Sequence, residues 1–97
     1  MAVKNEILEL LREIKPELVS RFAVANLGIF GSAVRDDFSE ISSDVDLLVD
    51  FSKPIGIEFV DLAEFIEKKL RRKVDLVSKN AIRPTYFSQI QNDLIYV

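Results

Sequence analysis

The sequence contains neither histidine nor cysteine, and this double absence removes whole classes of chemistry. Without these residues the chain cannot build a Ser-His-Asp triad, a cysteine nucleophile, a disulfide or an ordinary tetrahedral zinc site. The reactive groups that remain are carboxylates, hydroxyls, lysines and arginines. These groups suit hard cations with oxygen ligands, such as magnesium, and the phosphate chemistry that uses such cations.

Long apolar runs and a basic excess are also missing. No stretch approaches the roughly 18 apolar residues that span a bilayer, and Lys4, Glu6 and Glu9 occupy positions where a signal peptide would be apolar. We therefore expect a cytoplasmic protein that does not enter membranes. The net charge is −3, whereas a dedicated nucleic-acid binder normally carries a basic excess, so direct binding of DNA or RNA is not favoured.

The 97 residues, 48% of them hydrophobic and 30% charged, predict a single domain over residues 1–97 with one core. Apolar residues recur at helical spacing over residues 3–14, and Pro16 predicts that this helix ends near Lys15. Residues 33–43 are polar and predict a short helix followed by a loop. Further helices are expected over residues 57–70 and 84–92, and strands over residues 22–30, 44–51 and 74–77, with 94–97 as an edge strand or packed tail. This alternation predicts an α/β fold, in the wider sense that includes α+β folds.

Two acidic residues at the start of the second predicted strand are the first candidate site. Asp44 and Asp46 lie two positions apart, so the strand period projects both carboxylates to one face, among apolar neighbours. A divalent cation would offset their repulsion, although Asp-x-Asp also occurs as a plain solvated pair. Asp75 is a third acid in a short apolar strand. If the two strands are neighbours, three carboxylates converge; otherwise Asp75 is an exposed residue of an edge strand.

Gly31 and Ser32 follow the first strand and form the second candidate site. A glycine here lets the backbone approach a ligand, and the N–H groups of a following helix turn can bind phosphate. Ser32 is equally suited to a helix N-cap without any ligand. Arg35 could reach a triphosphate or pair with a nearby acid such as Asp36, Asp37 or Glu40. The basic run at residues 68–73 fits the end of a helix, with docking of an acidic partner as the alternative.

Together these segments resemble a known family. Residues 30–35, 43–49 and 74–77 are similar to the Gly-Ser, Asp-x-Asp and third-acid pattern of the DNA polymerase beta-like nucleotidyltransferase superfamily. Nearly the whole chain resembles its minimal nucleotidyltransferases of the MNT type, which are often the antitoxin halves of HEPN/MNT toxin–antitoxin pairs. The resemblance implies the nucleotidyltransferase fold, a small mixed sheet of three to four strands flanked by helices.

The resemblance also implies a role for each candidate residue. Asp44 and Asp46 would ligate two Mg²⁺ ions that bridge the triphosphate of ATP, and Asp75 would ligate the ion that activates the acceptor hydroxyl. Gly31 and Ser32 would hold the β- and γ-phosphates, with Arg35 also at the nucleotide. The sequence departs from the family pattern in two places. Eleven residues separate Ser32 from Asp44, one more than in close relatives, and Asp36 replaces a usual glycine.

A domain this small can hold a nucleotide but has little surface left for an acceptor, so a partner should supply it. The resemblance implies a HEPN-domain toxin, silenced by transfer of AMP to one of its tyrosines. Two alternatives stay open. The chain could be an antitoxin that neutralises its partner by contact alone, or it could modify a small molecule such as an aminoglycoside, although it lacks the extra domain of those enzymes. The sequence also leaves open the nucleotide, the number of units transferred and a homo-oligomer.

Overall fold

The computed structural model describes residues 3–35 and 44–97. In this part of the chain, three α-helices alternate with four strands, and a short 3-10 turn follows the first strand at Gly31–Ala33. The helices are α1 (Val3–Phe22), α2 (Glu58–Leu70) and α3 (Pro84–Ile90), and the strands are β1 (Val24–Phe30), β2 (Val45–Phe51), β3 (Val74–Ser78) and β4 (Ile95–Tyr96).

The four strands form one mixed sheet in the order β3-β2-β1-β4. Strand β1 pairs antiparallel with both β2 and β4, whereas β2 and β3 run parallel, joined through α2. The prediction of a small mixed sheet flanked by helices is confirmed. Strand β3 is an edge strand, so its outer side has no neighbouring strand in the described residues.

Each face of the sheet carries its own apolar cluster. On one face, Val45, Leu47 and Val49 of β2 pack with α1 and α2 in the main core. On the other face, Leu48 of β2 packs with Phe30 and with Ile90 of α3. This separation follows from the alternation of side chains along a strand. Asp46 lies two residues before Leu48 and therefore belongs to the α3 face.

The first helix contradicts the predicted boundary at Lys15. Helix α1 continues through Pro16 to Phe22, and proline in a helix interior removes one backbone hydrogen bond at a cost of about 3 kcal/mol. Leu18 is fully buried and Phe22 is 6% exposed. Because burial of each such side chain contributes about 1.5–3 kcal/mol, the core contacts offset the cost of the proline. The chain then turns sharply at Ala23, whose φ of 56° is left-handed, and enters β1.

The other predicted boundaries agree with the structure to within two residues, and residues 95–96 form the expected edge strand. Of the predicted short helix and loop over residues 33–43, residues 36–43 lie outside the described residues. No helix in the described part of the chain is long and apolar enough to cross a membrane.

The basic run at residues 68–73 has the structural role predicted for it. Lys68 and Lys69 lie in the last turn of α2, where cations complement the helix dipole. Arg71 ends the helix in a left-handed conformation, with its N–H donating to the Glu67 carbonyl at 2.8 Å. Arg72 is largely buried and lies 3.6 Å from the carboxylate of Glu6 on α1. Arg72 thus links the end of α2 to α1.

Candidate functional site

The parallel pairing of β2 and β3 places two of the three predicted acids side by side. Asp46 is in register with Asp75, and their carboxyl groups lie within hydrogen-bonding reach of each other. The register is fixed one residue earlier, where the Val45 N–H donates to the Lys73 carbonyl at 2.9 Å. Asp44 directly precedes β2 and is exposed, as is Asp75, while Asp46 is half-buried.

This arrangement makes Asp46 the electrostatic centre of the group. Burial raises the pKa of Asp46 from 3.8 to about 6, helped by the charges of Asp75 and Asp44 and by the hydrogen bond that the protonated carboxyl of Asp46 donates to Asp75. Arg35 is the opposing influence, because its positive charge lowers the pKa of Asp46. At neutral pH the carboxylate of Asp46 therefore carries its charge at a cost in free energy, which a nearby cation would offset.

The donor set fits a hard divalent cation. Carboxylate oxygens are the ligands that Mg²⁺ prefers, and the mutual repulsion within the group is what a bound cation relieves. Within residues 3–35 and 44–97, no three acidic side chains already have the spacing of a formed metal site. The structure thus brings Asp46 and Asp75 together and leaves Asp44 close enough to influence Asp46.

Gly31 brings the backbone against this acidic group. Its φ is +76°, a left-handed conformation that glycine adopts without strain. A β-carbon at this position would overlap the Oδ2 atom of Asp46. Ser32 lies within the 3-10 turn, whose N-cap is Phe30, so Ser32 is not the N-cap residue of this turn. Position 31 therefore requires a glycine, because any side chain there would collide with the carboxylate of Asp46.

Arg35 is held beside the acids by the turn that follows α3. Its guanidinium group donates a hydrogen bond to Asp93 at 2.9 Å, in an ion pair that is largely exposed. Of the alternative partners considered for Arg35, Asp36, Asp37 and Glu40 lie outside the described residues. The ion pair with Asp93 links the turn after β1 to the end of the α3 segment.

Gly31, Arg35 and Asp46 open into one cavity of about 260 Å³. Its opposite wall was not predicted from the sequence. It consists of residues of α3 and the turn after it, namely Tyr86, Gln89, Ile90 and Asp93. Their spacing of three, four and seven residues is the one signal that could have grouped them on one face of a helix.

A larger cavity of about 590 Å³ lies near the other end of β2 and is lined by Phe51, Phe59 and Leu76 among others. None of the candidate acids or the Gly-Ser pair contributes to it. We therefore take the smaller cavity as the candidate site in spite of its smaller volume, because candidate residues suited to phosphate chemistry line it.

The raised pKa of Asp46 predicts a pH dependence of stability. The folded chain binds this proton more tightly than the unfolded chain, with pKa values of about 6 and 3.8 respectively. The resulting stabilisation is fully present below pH 3.8 and is lost as the pH rises through about 6. Asparagine does not titrate, so Asp46→Asn does not lose this stabilisation as the pH rises. Without divalent cations, the variant should therefore be more stable than wild type at pH 7, by on the order of 1 kcal/mol after allowing for solvent screening.

Thermal unfolding in the presence of a chelator, at several pH values, measures this effect. The difference in unfolding free energy between Asp46→Asn and wild type should widen between pH 4 and pH 7. A difference that stays constant over this range would show that Asp46 has an ordinary pKa in the folded chain. Because other carboxylates titrate in both proteins, the comparison isolates the contribution of Asp46.

Comparison with known proteins adds sequence and structural relatives. The family model described as "Nucleotidyltransferase domain" matches residues 11–97. The protein adenylyltransferase MntA of Thermococcus cleftensis is 39% identical over 98 residues, which cover all of this chain and 98% of that protein.

Two solved structures share the fold. A chain assigned as a minimal nucleotidyltransferase superposes with a TM-score of 0.77 at 29% identity, covering 98% of this chain and 95% of the other. A chain from the complex of a tri-AMPylated Shewanella oneidensis HEPN toxin with its MNT antitoxin has a TM-score of 0.59 at 22% identity. The alignment covers 97% of this chain and 67% of that one, and at this identity the likeness is one of fold.

Proposed function

The chain belongs to the nucleotidyltransferase domain family, and we propose that it is a magnesium-dependent protein adenylyltransferase that transfers AMP from ATP to a hydroxyl group of a partner protein. The observation that carries the proposal is the pairing of Asp46 with Asp75 across β2 and β3, with Asp44 nearby and Gly31 against Asp46. Acids of this kind beside a backbone turn suit the transfer of a phosphorus-containing group.

In this proposal each candidate residue has a separate task. Asp44, Asp46 and Asp75 hold magnesium, which when bound would stabilise the entering and leaving oxygens of the transfer. Gly31 and Ser32 present backbone to the β- and γ-phosphates. Arg35 contributes positive charge at the cavity that Gly31 also lines. The acceptor hydroxyl attacks the α-phosphorus of ATP, pyrophosphate leaves, and Asp75 takes the hydroxyl proton. Asp75 suits that role because it is exposed on an edge strand.

The proposed partner is a HEPN-domain toxin, and the proposed acceptor is one of its tyrosine hydroxyls. Support comes from the shared fold with a chain of the complex in which a HEPN toxin is AMPylated, and from the 39% identity to a protein adenylyltransferase. The chain would thus act as an antitoxin that silences its partner by modification. Since the proposed reaction uses ATP, we place it in the cytoplasm.

Intact-mass spectrometry tests the proposal directly. The purified chain, ATP and magnesium should add one or more AMP units to the co-expressed HEPN toxin, and a chelator should prevent the addition. A tyrosine-to-phenylalanine change at the modified position of the toxin is the matched control and should receive no AMP. The proposal is wrong if the toxin keeps its mass while the Thermococcus cleftensis relative modifies its own partner under the same conditions.

A further inference from the structure

The acids and α3 share one face of the sheet, which gives α3 a part in the site. Phe30 and Leu48 on this face pack against Ile90 of α3, so the helix covers the apolar half of the face. Asp46 lies on the same face, two residues before Leu48. The flank of α3 therefore borders the acidic half of the face, and Tyr86 and Gln89 on this flank line the cavity that also contains Asp46.

Tyr86 stands out on this flank, because it is a large aromatic residue that remains 43% exposed. Its ring meets the ring of Phe30 in an edge-to-face contact, with the centroids 6.5 Å apart and the planes at 80°. Phe30 is only 2% exposed and directly precedes Gly31, so it fixes the ring of Tyr86 relative to the turn after β1. An aromatic ring that is held by the core and open to a cavity is suited to stacking against a planar ligand.

Two kinds of group line the cavity. Gly31 and Arg35 provide backbone and positive charge, which suit phosphate groups, whereas Tyr86 provides an apolar, planar surface. A nucleoside triphosphate has the same division between its phosphates and its base. Base–aromatic stacking contributes about 1–3 kcal/mol per base and accepts every base, because each base has a π face.

From this juxtaposition we propose that Tyr86 is the platform on which the base of the bound nucleoside triphosphate stacks. The inference rests on the proposed function, since it assigns the nucleoside end of the same site. It predicts that the aromatic ring of Tyr86 matters for affinity and that its hydroxyl does not. Binding of the phosphate end should be independent of Tyr86.

Calorimetric titration with a non-hydrolysable ATP analogue, in magnesium and without a partner, tests the inference. Tyr86→Ala should weaken binding of the analogue by about tenfold or more, and Tyr86→Phe should leave it unchanged. Inorganic tripolyphosphate, which has no base, should bind Tyr86→Ala and wild type equally. Tyr96→Ala is a matched control, since Tyr96 is also exposed, at 50%, but does not line the cavity.

Equal affinity of Tyr86→Ala and wild type for the analogue would overturn the inference. An equal loss of analogue and tripolyphosphate binding would also overturn it, because Tyr86 would then support the fold of the site and not the base. The proposed function fails separately, if wild type binds the analogue but leaves the toxin unmodified. In that case the variant comparison still decides the role of Tyr86.

Discussion

Asp46→Asn should lower the rate of AMP transfer by roughly a thousandfold or more while the chain stays folded. Asparagine has nearly the same shape as aspartate but no negative charge, so its amide oxygen is a much weaker magnesium ligand than a carboxylate. Loss of about 4 kcal/mol of transition-state stabilisation corresponds to this factor. Single-turnover labelling of the toxin with ATP measures the rate. The same substitution relieves the repulsion from Asp44 and Asp75, so activity and stability should change in opposite directions.

Asp50→Asn is the matched control for this prediction. Asp50 lies on the same strand and, four residues further along, on the same face, where it accepts a hydrogen bond from Asn26 at 3.4 Å. It contributes nothing to the site cavity, so the same chemical change there should leave the rate within about twofold of wild type. A similar loss of rate in both variants would mean that the strand, and not the carboxylate of Asp46, is what the substitution damages.

The double variant Asp44→Asn, Asp46→Asn separates catalysis from neutralisation by contact. An antitoxin that acts by modification should fail to rescue growth of cells that express the toxin when both acids are changed. Rescue by the double variant would show that contact alone neutralises the toxin. Co-purification of the variant with the toxin controls for loss of binding.

The sheet and its acids could be predicted from the sequence because their signals are local. A short, largely apolar segment followed by turn residues predicts β2, and the period of two places Asp44 and Asp46 on one face. An acid within an apolar strand, as at Asp75, conflicts with strand propensity and indicates a special position. Such reasoning needs only a few neighbouring residues. What it could not supply is the register that sets Asp46 beside Asp75.

The remaining features depend on contacts between distant segments. Helix α1 continues past Pro16 because Leu18 and Phe22 are buried, and that burial depends on α2 and the sheet. Tyr86 joins the site because α3 packs against Phe30 and Leu48, which lie on two different strands. Neither contact has a local sequence pattern. The predicted end of α1 was therefore wrong, and the predicted site lacked Tyr86, because tertiary packing and not local propensity determines both features.

The glycine of the Gly-Ser pair shows how closely backbone and acid depend on each other. Gly31→Ala should reduce AMP transfer by about a hundredfold or more, because displacement of a catalytic group by about 1 Å can cost this factor. The added methyl group would overlap Oδ2 of Asp46, and the φ of +76° costs a non-glycine residue about 1–2 kcal/mol. Either the turn or Asp46 must move. Labelling rates, together with thermal unfolding, measure both consequences.

Gly56→Ala distinguishes this contact from a general effect of losing glycine. Gly56 is exposed, and a β-carbon there would have no atom within 4 Å, so activity and stability should stay close to those of wild type. If Gly31→Ala keeps full activity, the backbone at residue 31 need not touch Asp46 during the reaction. Partial recovery of Gly31→Ala at raised magnesium would instead show that the displaced carboxylate still binds the cation, though more weakly. That recovery should be absent in Gly31→Ala combined with Asp46→Asn, because the carboxylate that responds to magnesium is then missing.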